Sequence, residues 1–505
     1  MPEQVALSKR LRSADPRAVA VCVSIIFSWL VTSSQVVLND DAYSYLKAAE
    51  TFSDQGLKST LGLYGWYGYS VVIALADSIL PTTLINSAHL FNAFCFALLT
   101  WFFITLVNEF SRTRKAAIFA AIVILCYPTI NEMRFALVRD FGYWASCLAG
   151  LIQLIRYSRH GKIENAIGWV ISIGIAVFFR LEGLLLVMIT PFALFVAGHD
   201  RAVSIGRFYK LVSLLIGAAI LVLAIFIFFG INLVDIFRFA YRWYLPLIAD
   251  YPGTIAGAAE NTSLSFHISE QIRPFTGKGV IILFLGYFYT VVLNIVTAIG
   301  PAFSLFILYG LLTSWRTCNK VLKSALGFYL ASSVVALIIF VSIMQFLTTR
   351  YAVMTSLLLL VLMPLILEVL HSSAMKSGNQ KRFHSIFAVL IMYFFVDSLF
   401  SFGYSKNYLD EAISWARDIP EVNEQILTNN AAIAYHSGRV ANYDDVETDI
   451  GTILTATPSF EYLVVEVAHD DEEAQELLDA SSGIEESLRF SNSRNDAVIV
   501  YRILQ

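Results

Sequence analysis

The sequence predicts a mainly α-helical, polytopic membrane protein with interfacial helices and a small C-terminal α/β domain. Hydrophobic residues make up 57 % of the 505 positions, charged residues make up 15 %, and the mean hydropathy is +0.66. A soluble chain of this length carries roughly a quarter charged residues. Basic clusters recur between the apolar runs, which is typical of cytoplasmic loops. The last part of the chain, in contrast, is polar and acidic.

The charge balance divides the chain into two parts. Residues 401–505 contain 20 acidic and 6 basic residues, whereas residues 1–400 contain 19 acidic and 29 basic residues. The balances of −14 and +10 predict a transmembrane domain at 1–402 and a separate C-terminal domain at 403–505. We expect membrane lipids and no nucleic acid among the partners.

About 11 membrane spans follow from the apolar runs and from the basic loops that separate them. The predicted spans are 18–37, 84–107, 116–130, 141–157, 164–179, 183–198, 211–231, 299–315, 326–346, 352–370 and 384–402. Residues 66–80 are predicted as an interfacial helix and 280–296 as a shallow or kinked helix. This map puts the N-terminus in the cytoplasm, and the C-terminal domain and four further segments on the outer face: 38–83, 131–141, 232–278 and 347–351.

The C-terminal domain shows the patterns of short strands and helices. Helices are predicted at Asn407–Arg417, Ala431–Ser437 and Asp471–Leu478, with Gly438 ending the second. Strands are predicted at Gln425–Thr428 and Glu461–Val467, and a hairpin at Leu488–Phe490 and Ala497–Ile503.

The unusual charges of the transmembrane part all fall at the outer ends of spans. They are Asp40, Asp41, Arg134, Arg139, Asp140, Arg180, Glu182 and Arg350. Basic residues are disfavoured in short outer loops, so these arginines need carboxylate partners or an anionic ligand. Arginine suits phosphate because its planar fork binds two oxygens and keeps its charge when partly buried. The alternatives are helix caps at Asp40–Asp41, ion pairs at Arg139–Asp140 and Arg180–Glu182, and an interfacial anchor at Arg350–Tyr351.

No metal or cofactor motif is apparent. The five cysteines lack metal-ligand spacing, and His89 and His199 have no ligand partners nearby in the sequence. We therefore expect no cofactor; a divalent cation bridging the outer acids is possible but not indicated.

Several short motifs, taken in order, resemble the GT-C superfamily of membrane glycosyltransferases. They are Asp40-Asp41-Ala-x-x-Tyr45 after the first span, Arg139-Asp140 opening the fourth, Arg180-x-Glu182-Gly183, and Arg350-Tyr351. The closest groups are the protein O-mannosyltransferases and the bacterial aminoarabinose-type transferases. The segments beginning at Lys406 and at Thr428 are similar to the outer domains of bacterial members.

The resemblance implies an inverting transferase that takes a sugar from a polyprenyl-phosphate donor, on the periplasmic face of a bacterial inner membrane. The acceptor would be a hydroxyl of a glycan, lipid or protein. The family pattern makes Asp40 the first candidate for the general base and Asp41 the second, with Asp140 assisting. It assigns the lipid phosphate to Arg350, Arg139 and Arg180, to which we add Tyr351. We assign acceptor binding or orientation to Tyr43, Arg134 and Glu182.

The chemistry is consistent with this assignment. A positioned carboxylate that takes the proton of an acceptor hydroxyl contributes about 10²–10⁴-fold to the rate. A single base without a carboxylate nucleophile predicts inversion. Two other functions stay open: a secondary transporter, whose charges should lie within its spans and whose halves should repeat, and a polymerase or ligase that uses lipid-linked glycans.

Overall fold

The computed structural model describes most of the chain and is almost entirely helical outside the C-terminal region. It describes residues 14–33, 37–63, 67–197, 200–228, 279–313, 319–399, 407–418, 426–440, 446, 450–456, 460–481 and 483–504. The predicted outer segment 232–278 lies outside the described residues.

The helices of the described residues are numbered here in chain order. The first eleven are α1 Pro16–Thr32, α2 Asp40–Gln55, α3 Leu57–Leu63, α4 Tyr67–Ile79, α5 Leu84–Phe110, α6 Arg114–Leu125, α7 Pro128–Glu132, α8 Asp140–His160, α9 Ile163–Phe179, α10 Gly183–Ile189 and α11 Ala193–Ala197. The next eleven are α12 Arg201–Phe228, α13 Gly279–Ile299, α14 Pro301–Thr313, α15 Lys320–Met344, α16 Thr349–Leu360, α17 Leu362–Lys376, α18 Gln380–Leu399, α19 Asn407–Asp418, α20 Ala431–Ser437, α21 Ile450–Ala456 and α22 Glu472–Asp479.

Five helices among the described residues are long and apolar enough to cross a membrane. They are Leu84–Phe110, Arg201–Phe228, Ile281–Ile299, Lys320–Met344 and Thr349–Lys376, the last of which combines α16 and α17. The chain is therefore an integral membrane protein. The predicted total of about 11 spans and the sidedness of the chain stay predictions.

Two predicted spans are broken in the structure, and a proline explains each break. The predicted span 116–130 is divided into α6 and α7, with Pro128 at the start of α7. The predicted span 183–198 is divided into α10 and α11 by a 3₁₀ turn at Thr190–Phe192, which contains Pro191. Proline has no N–H for the helical ladder and its ring clashes with the preceding turn.

The helix expected to be shallow or kinked, 280–296, is α13 in the structure. It runs without interruption for 21 residues, or about 31 Å at 1.5 Å per residue, which matches the hydrocarbon core of a bilayer. Helix α13 is long and apolar enough to cross a membrane, which favours a span here. The helix predicted to lie at the interface, 66–80, is α4. It has 13 residues and is too short to span a membrane.

The chain divides into two compact units that interleave along the sequence. Unit 1 contains Met1–Trp29, Leu90–Arg134 and Arg139–Leu399; unit 2 contains Leu30–His89, Phe135–Val138 and Phe400–Gln505. Unit 2 thus combines the C-terminal region with the segment that follows α1. The domain boundary predicted at residue 403 assigns these two parts to different domains.

Helix α15 is the central helix of unit 1. It packs against α8, α10, α11, α13 and α16. It begins behind Asn319, whose side chain accepts the Val321 N–H, and ends at Gln345 in the left-handed conformation (φ 58°). A buried hydrogen bond of 3.0 Å from Trp169 Nε1 to the Tyr329 hydroxyl connects it to α9.

Unit 2 contains a four-stranded sheet in the order β1-β2-β4-β3. The strands are β1 Ile426–Thr428, β2 Tyr462–Val467, β3 Ile484–Ser491 and β4 Ala497–Ile503. Strand β1 pairs parallel to β2, whereas β4 is antiparallel to both β2 and β3. The central strands are apolar and buried, and the edge strand β3 carries exposed charges that discourage further pairing. The predicted strands, the hairpin and the helix ending at Gly438 overlap the observed elements, but β3 begins at Ile484 rather than at the predicted Leu488, and α21 was not predicted.

Candidate active site

Four helix ends in unit 1 bring charged residues together. Asp140 opens α8, Arg180 and Glu182 lie between the end of α9 and the start of α10, and Arg350 lies in the first turn of α16. A carboxylate in the first turn of a helix is favoured by the helix dipole, which suits Asp140. The structure thus assembles four of the residues that the sequence assigned to one face.

Arg180 forms ion pairs with both carboxylates of this cluster. Its Nη1 donates to Asp140 Oδ1, and its Nη2 donates to Glu182 Oε1. The side chains of Arg180 and Asp140 are 5 % and 2 % exposed, respectively. The Arg180–Glu182 ion pair considered from the sequence is therefore present, and Arg180 also holds Asp140. Charges buried this deeply are tolerated only when they are paired and hydrogen-bonded.

The charges of the cluster also shift its pKa values. Burial alone would raise the pKa of Glu182, but the charge and hydrogen bond of Arg180, together with the charge of Arg139, lower it to about 2. Burial alone would lower the pKa of Arg180, but the charges of Asp140 and Glu182 raise it well above its ordinary value. Both ion-pair partners therefore stay charged at neutral pH.

Arg350 is the more accessible arginine of the cluster. Its side chain is 27 % exposed, and its Nε lies 3.8 Å from Asp140 Oδ2. The guanidinium groups of Arg180 and Arg350 lie 4.9 Å and 5.4 Å from the ring centroid of Tyr351, and that ring packs against Phe340 at 4.2 Å. Tyr351 therefore orients both guanidinium groups through cation–π contacts.

Close packing against the backbone of α9 explains why the Arg-x-Glu-Gly motif ends in glycine. A Cβ atom on Gly183 would lie 2.8 Å from the Val177 nitrogen and 3.0 Å from its Cα. Only glycine lets the start of α10 approach the backbone of α9 this closely. The turn that presents Arg180 and Glu182 depends on this approach.

A pocket opens beside the cluster and lies wholly within unit 1. Asp140, Arg180 and Glu182 contribute its charged wall, and α15 and α16 contribute Ser333 and Thr355. Trp144, Phe340 and Tyr351 add aromatic surface. Ser333 and Thr355 were not singled out from the sequence, because serine and threonine are common in apolar helices.

Arg134 is separate from this cluster. It is 2 % exposed, and it donates to Asn131 Oδ1, to the Ser24 carbonyl and hydroxyl oxygens and to the Ser28 hydroxyl, at 2.8–3.2 Å. Its guanidinium lies 4.4 Å from the Phe96 ring centroid. The sequence assigned Arg134 to acceptor binding or orientation, whereas in the structure its hydrogen bonds connect α1 to the α7–α8 turn.

The candidate bases belong to unit 2. Asp40 and Asp41 form the first turn of α2, where Asp40 is exposed and Asp41 is partly buried. Asn39 precedes them but does not cap the helix with its side chain. Its Oδ1 accepts instead the backbone N–H of Leu137 at 2.9 Å. The acidic pair therefore lies at the start of a helix, as predicted.

Tyr43 is buried behind the acidic pair, one helical turn along α2. Its hydroxyl accepts the Leu38 N–H at 3.1 Å, and burial raises the pKa of Tyr43 to about 12. Its ring packs against Tyr435 and His436 of α20, both at 5.6 Å between centroids. Tyr435 in turn donates to Glu50 of α2 at 2.9 Å. In the structure, Tyr43 packs α2 against α20.

The motif that begins at Thr428 has a structural role. Asn430 caps α20 by accepting the Ile433 N–H at 3.0 Å. Asn429 exchanges two hydrogen bonds with the backbone of Glu466, at 2.8 Å and 2.9 Å. Tyr408 donates to the Glu466 carboxylate at 2.7 Å. The motif therefore joins the turn after β1 to β2 and α19.

Metal ligation has no candidate group in the described part of the chain. No three His, Cys, Asp or Glu residues among those described are grouped so that they could hold a metal ion.

Comparisons with known proteins give structural neighbours only. No protein-family model matches the sequence, and no curated protein matches it. The Archaeoglobus fulgidus oligosaccharyltransferase tethered with an acceptor peptide is 12 % identical, with a TM-score of 0.48 over 89 % of this chain and 69 % of the other. ArnT from Cupriavidus metallidurans is 12 % identical, with a TM-score of 0.49 over 96 % and 97 % of the two chains. The mycobacterial arabinofuranosyltransferase AftD is 12 % identical, with a TM-score of 0.45 over 97 % of this chain and 40 % of the other.

At this identity and with TM-scores below 0.5, the activity of the chain has to be argued from its own residues.

Proposed function

We propose that this chain is an inverting membrane glycosyltransferase that moves a sugar from a polyprenyl-phosphate donor to an acceptor hydroxyl. The observation that carries the proposal is the buried Asp140–Arg180–Glu182 cluster, with Arg350 beside it and a pocket along its side. Such a cluster at the ends of apolar helices suits a ligand with a charged head group and a lipid chain. The motif order described above supports the sugar-transfer chemistry.

Arg350 is the arginine that we assign first to the donor phosphate. Arg180 shares its charge between two carboxylates and is only 5 % exposed, whereas Arg350 is 27 % exposed and lines the same cluster, with its Nε 3.8 Å from Asp140 Oδ2. A guanidinium can bind two phosphate oxygens and stabilise the negative charge that develops when the phosphate leaves. Arg139 and Tyr351 complete the proposed phosphate site, and Arg180 positions Asp140 and Glu182.

Asp40 is the proposed general base, with Asp41 as the second candidate. Its exposed carboxylate, in the first turn of α2, would take the proton of the acceptor hydroxyl as the hydroxyl oxygen attacks the anomeric carbon and the lipid phosphate leaves. This single displacement inverts the anomeric centre. We place the reaction on the periplasmic face of a bacterial inner membrane, with a glycan, lipid or protein as acceptor.

Sugar transfer by the purified full-length chain in detergent tests the proposal. Polyprenyl phosphates carrying single sugars serve as donors, and release of the free lipid phosphate is measured. We expect Asp40→Asn to lower kcat by about 10²–10⁴-fold, the contribution of a general base. We expect Arg350→Ala to raise the donor KM more than it lowers kcat. Asp140→Asn should lower kcat without altering the stereochemistry of the product.

Three results would contradict parts of this assignment. Full activity of Asp40→Asn would remove Asp40 as the base, and an unchanged donor KM in Arg350→Ala would remove Arg350 from the phosphate site. If the wild-type chain cleaved no lipid-phosphate sugar, the proposed class would be wrong. Uptake of a solute by proteoliposomes would then favour a transporter, and the use of longer lipid-linked glycans a polymerase or ligase.

A further inference from the structure

Hydroxyl groups in the apolar helices of this protein usually donate to a backbone carbonyl one turn earlier. Ser332 donates to the Phe328 carbonyl at 2.8 Å, Ser356 to the Ala352 carbonyl at 3.0 Å and Thr190 to the Leu186 carbonyl at 2.7 Å. This bond is the ordinary way in which serine and threonine are accommodated in a helix surrounded by apolar groups.

Ser333 and Thr355 depart from this pattern. The buried hydroxyl oxygens of both side chains have no hydrogen-bond partner among the described residues, and the two residues are 6 % and 1 % exposed. Both line the pocket beside the charged cluster. A buried hydroxyl without a partner is costly, so two in one pocket indicate that a ligand supplies the partners.

Glu182 contributes a third such atom to the same pocket. Its Oε1 accepts from Arg180, whereas its Oε2 is buried and has no hydrogen-bond partner among the described residues. The pocket therefore presents two hydroxyl groups and one carboxylate oxygen, all with unused hydrogen-bonding capacity.

The chemistry of these three groups favours a hydroxyl-bearing ligand over an anion. A carboxylate oxygen repels phosphate but accepts hydrogen bonds from hydroxyl groups, and serine and threonine hydroxyls both donate and accept. The aromatic rings of Trp144, Phe340 and Tyr351 add apolar surface suited to the C–H faces of a sugar ring. A mostly apolar pocket with a few convergent polar groups is the usual form of a small-ligand site.

We propose that Ser333, Thr355 and Glu182 bind hydroxyl groups of the donor sugar, so that this pocket determines which sugar is transferred. The inference rests on the proposed function. It adds that two neighbouring sites bind different parts of the donor. Arg350 and its neighbours bind the phosphate, and the pocket binds the sugar. A site built to hydrogen-bond a hydroxyl rejects analogues that lack it, which makes these residues specificity determinants.

Binding of lipids with and without a sugar tests this division. The purified full-length protein is titrated in detergent with undecaprenyl phosphate and with undecaprenyl phosphates carrying mannose, glucose or arabinose. The variants are Ser333→Ala, Thr355→Val and Glu182→Gln. The matched controls are Ser332→Ala and Ser356→Ala, which remove neighbouring hydroxyls that are bonded to the backbone.

We expect the wild-type protein to bind at least one sugar-bearing lipid more tightly than bare undecaprenyl phosphate. Ser333→Ala and Thr355→Val should each weaken binding of that lipid by about 3- to 10-fold, the effect of one hydrogen bond. Binding of the bare lipid should be unchanged, and the two controls should leave both affinities unchanged. Glu182→Gln should weaken binding of the sugar-bearing lipid most, because a charged acceptor makes the stronger bond.

Two results would overturn the inference while leaving the proposed function intact. One is equal loss of affinity for the bare and the sugar-bearing lipid in Ser333→Ala and Thr355→Val, and the other is no loss for either. A wild-type protein that binds every sugar-bearing lipid no better than the bare lipid would also overturn it. Failure of the wild-type protein to bind even bare undecaprenyl phosphate would instead contradict the proposed phosphate site.

Discussion

Three arginines that the sequence assigns to one face have three different surroundings. Arg134 is buried and hydrogen-bonded to serine and asparagine, Arg180 is buried and paired with two carboxylates, and Arg350 is partly exposed. The positive-inside rule identifies all three as unusual. Burial and partners, which depend on long-range packing, then distinguish a packing residue, a positioning residue and a candidate ligand-binding residue.

Replacing Arg180 by methionine should destabilise the protein strongly. The change leaves the Asp140 carboxylate, only 2 % exposed, without its main partner. Breaking a buried ion pair in this way costs about 3–5 kcal/mol, here somewhat less because the Glu182 side chain is 26 % exposed. Thermal unfolding in detergent measures the effect. Arg350→Met is the control and should cost less, because Arg350 is more exposed and its Nε lies 3.8 Å from Asp140 Oδ2. Equal losses in the two variants would contradict the role of Arg180 as the main partner of Asp140.

At the scale of helices and strands, the ends of elements determine where the site residues lie. The Arg-x-Glu-Gly turn can form only because the start of α10 approaches the backbone of α9 at Val177. Helix α8 likewise ends at Gly161 in the left-handed conformation (φ 67°), which glycine adopts without strain. Gly183 thus positions the turn that carries the ion-paired Arg180 and Glu182, whereas Gly161 only ends α8, at the opposite end of that helix from Asp140.

Gly183→Ala should displace the turn that carries Arg180 and Glu182. The added methyl group would meet the Val177 backbone at 2.8 Å, and overpacking of this kind costs about 1–3 kcal/mol. Gly174→Ala in α9 is the matched control, because a Cβ there meets nothing within 4 Å. That variant should be neutral or stabilising by about 0.5–1 kcal/mol. Thermal unfolding compares the two, and similar shifts in both would contradict the close approach at Gly183.

Most elements of the C-terminal region could be predicted because they carry a local signal, whereas helix α21 was not predicted. Alternating or continuous apolar runs mark the strands, and Gly438 marks the end of α20. The charged cluster could be predicted as a group because its members lie at span ends. Ser333 and Thr355 could not, since only the three-dimensional structure shows which helix hydroxyls lack a carbonyl partner. Whether α13 crosses the membrane could not be predicted, because hydropathy alone does not distinguish a shallow helix from a membrane-spanning one.

At the scale of the whole molecule, the two units alternate along the chain. Unit 2 takes the four residues Phe135–Val138 from a stretch that otherwise belongs to unit 1. This short segment follows Arg134 and precedes Arg139, so the chain passes from unit 1 into unit 2 and back just before the Arg139-Asp140 motif. Within unit 2, the segment is bonded to the residue that precedes the candidate base.

The hydrogen bond between the Asn39 side chain and the Leu137 amide can be tested by deuterium exchange. Leu137 lies outside any helix or strand, yet its N–H is held at 2.9 Å by Asn39 Oδ1. Its amide should therefore exchange more slowly than an ordinary loop amide, and Asn39→Ala should restore fast exchange there. If exchange at Leu137 were equally fast in both proteins, the contact would not persist in solution. Slow exchange at this one amide would report directly on the order of the chain immediately before Asp40.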